Sequence, residues 1–174
     1  MILTPRLRKL ALTAHVTASV GWLGAVSSFL VLAISGLTSK DTQLVHAVYL
    51  AMELIARFII VPLCLATLIT GIIQSLGSKW GLFRHYWILI KFLITILSTF
   101  VLLIHMQPIS YIAGEAAKIT LSSADLRIQI QLVVASGAAI LALLVATTLS
   151  VYKPRGLTPY GFRKNLKQRS GSKS

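Results

Sequence analysis

Four long apolar segments, separated by short polar stretches, dominate the chain. They extend over about 10–37, 44–76, 86–106 and 128–152. At about 1.5 Å of rise per residue, each segment can cross ~30 Å of hydrocarbon as an α-helix. A spanning backbone must satisfy its own hydrogen bonds, and short connections favour antiparallel neighbours. The pattern therefore predicts an all-α fold, a transmembrane four-helix bundle whose helices run alternately up and down.

Prolines refine the predicted boundaries. Pro108 is expected to end the third span at Met106, because proline cannot donate the helical hydrogen bond and its ring clashes with the preceding turn. Pro62 lies inside the second span and predicts a kink there. The outer loop holds a short predicted helix over about 113–119. On this division, residues 1–153 form the transmembrane domain and the rest of the chain forms a basic cytoplasmic tail.

Composition agrees with a membrane protein and excludes several other classes. Hydrophobic residues make up 56% of the chain and charged residues only 12%, against roughly 25% charged in soluble domains. That balance excludes a cytosolic enzyme and a disordered chain. The one cysteine, Cys64, lies within an apolar segment and has no internal disulfide partner, so a disulfide-stapled secreted scaffold is excluded as well.

Positive charge is divided unevenly between the two ends of the predicted bundle, with 17 Lys and Arg against 4 Asp and Glu. The loops after the first and third spans hold only Lys40, Lys118 and Arg127. The opposite end holds Arg6, Arg8, Lys9, Lys79, Arg84, Lys153, Arg155, Arg163, Lys164, Lys167, Arg169 and Lys173. By the positive-inside rule, both termini face the cytoplasm of a multi-pass protein in the cell (inner or plasma) membrane. The tail is expected to contact anionic lipid and not nucleic acid.

Each ionisable residue inside a span costs several kcal/mol of insertion free energy, so its presence calls for a functional explanation. Residues four or seven apart share a helical face, which aligns His46, Glu53 and Arg57 on the second span. Lys91 and His105 share a face of the third span in the same way. Sorted by depth from the cytoplasm, these residues form two predicted clusters: an inner cluster of His15 and Lys91, and an outer cluster of His46, Glu53, Arg57 and His105.

Haem b is the cofactor that such clusters suit best. Imidazoles that project inward from facing helices hold its iron, which takes one or two neutral histidine nitrogens. A cation can neutralise the haem propionates, and Trp22 can stack along the porphyrin. Two clusters about 20 Å apart along the helices predict one or two haems. The residues predicted to contact haem are His15, Trp22, His46, Arg57, Lys91 and His105, of which His15, His46 and His105 would bind iron.

Simpler interpretations stay open for the outer cluster. Glu53 and Arg57, four residues apart, can form a plain ion pair. His46 can be a solvated histidine that projects from the end of the second span, and His105 can cap the third helix. Other metals are less suitable, because copper favours Cys and Met ligands and zinc wants three or four close ligands.

A pattern of five residues resembles a superfamily of small four-helix membrane proteins: His15, Trp22, Gly24, Trp87 and Lys91. The superfamily includes the haem-binding, membrane-type protoporphyrinogen oxidase of bacteria, the copper-resistance D-type proteins and an uncharacterised integral membrane group. In the oxidase, the histidine and lysine of this pattern are essential and lie at the b-haem site. The resemblance implies that His15 is an axial haem ligand and that Lys91 lies beside the haem or on its other face.

The predicted function is that of a b-type haem-binding integral membrane protein in electron transfer or in redox or gas sensing. As an enzyme, it would be a haem-dependent oxidoreductase that uses quinone. The alternative is a haem-free accessory or transport subunit, whose polar helix faces line a path for an ion or a small molecule. Membrane lipid is the expected partner, and both a homo-oligomer and a larger membrane complex stay open.

Overall fold

Four long helices make up the described part of the chain. A computed structural model describes residues 4–77, 85–117 and 123–154, together with 156, 158, 159 and 162. The helices are Pro5–Thr38, Thr42–Gly77, Tyr86–Ala117 and Ser123–Tyr152. Each contains a stretch that is long and apolar enough to cross a membrane. The predicted all-helical architecture with four candidate spans is therefore confirmed.

Capping residues set where the first two helices begin. Thr4 caps the first helix, and Pro5 occupies its first position, where the fixed φ of proline suits the helix. Asp41 caps the second helix, because its carboxylate accepts a hydrogen bond from the backbone N–H of Gln43 at 2.9 Å. Only residues 39–41 separate the two helices, which therefore pack as a hairpin.

The helices form a ring in which each packs against two neighbours. The first and third helices both contact the second and the fourth. Residue numbers rise along one helix while they fall along its neighbour. Between the first two helices, His15 contacts Thr70 and Gly36 lies against Tyr49. The second and third helices, and the third and fourth, show the same opposite order of residue numbers. Their contacts are Glu53–Ser110, Cys64–Thr99, Lys91–Ser150 and His105–Gln131. Adjacent helices are therefore antiparallel.

A π-helical turn, Ala56–Ile60, interrupts the second helix directly before Val61. The backbone N–H of Val61 donates to the carbonyl of Ala56, five residues back instead of four. Pro62 explains the change, because its ring clashes with the carbonyl four residues back and a wider turn relieves the clash. Where the sequence predicts a kink, the structure has a π turn.

The third helix does not end at Met106, so that prediction is wrong. The helix passes through Pro108 and continues to Ala117. One proline removes only one hydrogen bond, and the buried side chains of Ile109 and Ile112 anchor the extension in the core. The separate outer helix predicted over 113–119 is the end of this same helix as far as Ala117, and residues 118–122 lie outside the described part of the chain.

Large apolar side chains cover the outside of the bundle. Each helix contributes one in Leu10, Phe58, Leu97 and Leu141, which are 63–68% exposed. A soluble domain rarely exposes a large contiguous apolar patch. An apolar surface around the whole bundle is what helices in contact with lipid require. The structure is that of a multi-pass membrane protein.

The start of the predicted tail contacts the bundle. Lys153 adopts a left-handed conformation, with φ of 44°, and Pro154 follows it, which ends the fourth helix. The backbone N–H of Tyr86 then donates to the carbonyl of Gly156 at 3.4 Å. The fourth helix is thereby tied to the beginning of the third.

Candidate functional site

The His15 imidazole is held in one orientation by the second helix. Its Nδ1 lies 3.1 Å from the hydroxyl oxygen of Thr70. The Thr70 hydroxyl donates its single proton to the carbonyl of Ala66, so its oxygen accepts from His15. Nδ1 therefore carries the proton and Nε2 carries the lone pair.

Gly71 allows the imidazole to lie against the second helix. A Cβ atom at this position would be 3.2 Å from His15 Cε1, which is closer than such contacts normally are. One turn further along, Gln74 Nε2 donates to the carbonyl of Ala11 at 2.9 Å. These contacts clamp the first helix to the second at His15 and one turn before it, so the ring has little freedom to turn.

Lys91 lies at the same level of the bundle as His15. The second and third helices are antiparallel, so the Cys64–Thr99 contact places Thr70, six residues after Cys64, opposite residue 93. Residue 93 is two positions, or about 3 Å along the helix, from Lys91. The Lys91 ammonium donates to Ser150 Oγ at 3.0 Å and lies 5.9 Å from the centre of the Trp87 ring. The structure thus places the two members of the predicted inner cluster at the same level of the bundle.

The outer cluster is not assembled as the sequence predicts. The Glu53–Ser110 and Cys64–Thr99 contacts place His105 opposite residue 58. His46 is twelve residues from that point, or about 18 Å along the helix axis. These two histidines therefore do not face a common site.

Glu53 and Arg57 are not ion-paired among the described residues. The Glu53 carboxylate accepts instead from the Ser110 hydroxyl at 2.7 Å, across to the third helix. Arg57 is exposed and belongs to the π turn. The structure places Arg57 on the outer surface of the bundle, away from the inner pair of His15 and Lys91.

A cavity of about 250 Å³ lies in the middle of the bundle and was not predicted. All four helices line it, with Trp22, Ile60, His105 and Ser136 as one representative from each. Small residues create the space, mainly the alanines of the fourth helix between positions 135 and 142 and Ala56 at the π turn. Those alanines were the available signal in the sequence, but small residues in membrane helices usually indicate close packing only.

The cavity does not bring Trp22 together with the inner cluster. Trp22 lines it and is buried, whereas His15 and Lys91 are not among its described lining residues. His105 is the titratable side chain of the lining. Within the described ranges, no three His, Cys, Asp or Glu side chains converge as zinc would require, whereas haem iron needs only one or two imidazoles.

Fold and surface together define a four-helix, multi-pass membrane protein. Comparisons with protein-family models, with curated proteins and with solved structures each find no match to this chain. The resemblance carried by His15, Trp22, Gly24, Trp87 and Lys91 therefore stays a prediction, and the functional argument rests on the geometry of the bundle.

Proposed function

We propose that this protein binds haem b through His15 and acts in electron transfer or in redox or gas sensing. The observation that supports the proposal is the state of the His15 imidazole. An axial ligand needs a lone pair on one ring nitrogen and a hydrogen bond that orients the other. His15 has both, since Thr70 fixes Nδ1–H and Nε2 keeps its lone pair.

The surroundings of His15 also suit a haem. Gly71 makes room for the imidazole in this orientation, because any larger residue would press on Cε1. Lys91 supplies a cation at the same level, held by Ser150, that can neutralise a propionate. Bound haem would supply one-electron redox chemistry and a site for a diatomic gas. Quinone, which is soluble in the bilayer, is the proposed electron partner in the enzyme form of this function.

One haem per chain is proposed, and a second haem is not. The second haem required His46 and His105 to reach one iron, and the two histidines are separated by about 18 Å along the helices. His105 also has both ring nitrogens engaged, Nδ1 with the carbonyl of Val101 and Nε2 with Gln131. The inner pair of His15 and Lys91 is the proposed haem site.

The absorption spectrum of the purified protein tests this function. When the full chain is produced with haem supplied and purified in detergent, we expect a Soret band and a pyridine-haemochrome ratio near one haem per chain. A protein that shows no Soret band under these conditions is haem-free. That result would favour the accessory or transport subunit instead.

We propose that both termini lie in the cytoplasm, because most of the cations lie at the end of the bundle that holds both termini. A reporter that is active only in the cytoplasm should therefore be active when fused after Ser174 or at Gly77. A reporter that is active only after export should be active at Gly114, at the far end of the third helix. A cytoplasmic signal at Gly114 would contradict this orientation.

A further inference from the structure

The central cavity has the size of a ligand site for one aromatic ring. Its volume is about 250 Å³. A dry apolar cavity of roughly 150 Å³ is enough to hold benzene, and sites for drug-sized ligands begin at about 300 Å³. A single ring with a few substituents therefore fits the space between the four helices.

The walls of the cavity favour an uncharged ligand. Trp22 and Phe29 provide aromatic surface, and both are buried. Alanines of the fourth helix form another part of the wall, so an aromatic ring could pack against them without a clash. A charged group in this space would lose its hydration without gaining a counter-ion, because none of the described lining residues is acidic, lysine or arginine.

The cavity is reached from the lipid. Leu97 is 63% exposed and Val101 is 39% exposed, yet both line the cavity. Ala138 on the fourth helix is likewise exposed and lines it. Residues that face both the cavity and the outside mark an opening between the third and fourth helices. A ligand that enters here comes from the bilayer and must be lipid-soluble.

His105 determines which polar group the ligand carries. Its Nδ1 lies 2.8 Å from the carbonyl oxygen of Val101, which can only accept, so Nδ1 is protonated. Nε2 then has the lone pair and accepts from the exposed amide of Gln131 at 3.2 Å. A hydroxyl on the ligand can donate to Nε2 in place of Gln131. A carbonyl or an ether could not make this bond.

We infer that the cavity binds a lipid-soluble phenol or quinol, whose ring packs against Trp22 and the fourth-helix alanines and whose hydroxyl donates to His105. This site is distinct from the proposed haem site, because His15 and Lys91 do not line it. Its test therefore succeeds or fails independently of haem binding.

The test measures quenching of tryptophan fluorescence by 4-bromophenol in the full-length protein in detergent. Bromine quenches tryptophan at contact, so binding beside Trp22 gives a saturable component that Trp22→Phe removes. Ala135→Leu fills part of the cavity and should abolish the saturable component. Ala14→Leu, the same change at an exposed position of the first helix, should leave it intact.

His105→Leu tests the hydrogen bond without depending on the folding of the Ala135 variant. It should weaken 4-bromophenol binding by about fivefold, the effect of one hydrogen bond, and leave bromobenzene binding unchanged. Quenching that is linear in concentration, or that Ala135→Leu leaves unchanged, would show simple partitioning into the micelle and overturn the inference. Equal binding of 4-bromophenol and bromobenzene in the original protein would overturn the role of the hydroxyl.

Discussion

Replacement of His15 by alanine is expected to abolish the Soret band while the protein stays folded in the membrane. The substitution removes Nε2, the proposed iron ligand, whereas loss of even an outer-shell partner typically weakens metal binding 10–100-fold. Haem affinity should therefore fall by more than about 100-fold. Thr70 keeps its hydrogen bond to the carbonyl of Ala66, so no polar group is left without a partner. Haem content per chain, measured by pyridine haemochrome, checks this result.

A graded variant distinguishes loss of the ligand from loss of the fold. Gly71→Ala keeps His15 but places a Cβ atom 3.2 Å from Cε1, so the ring must shift by a few tenths of an ångström. We expect weaker haem binding by about tenfold, as for other changes next to a metal ligand. Gly137→Ala, where no atom lies within 4 Å of the added Cβ, is the matched control. An unchanged Soret band in His15→Ala would place any haem elsewhere.

Gly36→Ala is expected to destabilise the bundle at the end that is remote from His15. The added Cβ atom would lie 2.8 Å from Cζ and 2.9 Å from the hydroxyl oxygen of Tyr49. The Tyr49 ring is only 1% exposed and cannot move aside without disturbing the core. Overpacking of this kind typically costs about 1–3 kcal/mol. The free energy of unfolding in mixed detergent micelles, titrated with a denaturing detergent, measures the effect.

Gly24→Ala is the control for the Gly36 substitution. Nothing lies within 4 Å of a Cβ atom there, so the variant should be as stable as the original protein or more stable, by up to about 1 kcal/mol of helix propensity. Tyr49→Phe should partly rescue Gly36→Ala, because it removes the hydroxyl that the new methyl group meets. The hydroxyl has no hydrogen-bond partner among the described residues, so its loss alone should cost little. Equal stabilities of the Gly36 and Gly24 variants would contradict this packing argument.

The common level of His15 and Lys91 could be predicted from the sequence, whereas the predicted pairing of His46 with His105 is wrong. His15 and Lys91 each lie a short distance after the start of an ascending span, so counting residues places them at one depth. His105 appeared to lie near the outer surface only because the third span was expected to end at Met106. The helix continues for twelve residues beyond His105, which places that residue deep in the bundle.

The sequence by itself determined the number of helices and their membrane character, because the length and hydropathy of a segment are properties of the chain alone. It also indicated which residues are costly to bury. Only the tertiary structure decided which helices are neighbours, how far the third helix extends past Pro108, and that Pro62 produces a π turn. The central cavity depends on the same packing, because Trp22, Ala56, His105 and Ala135 come from four different helices. A gap between helices is set by the register and distance at which they pack, and no single helix carries that information.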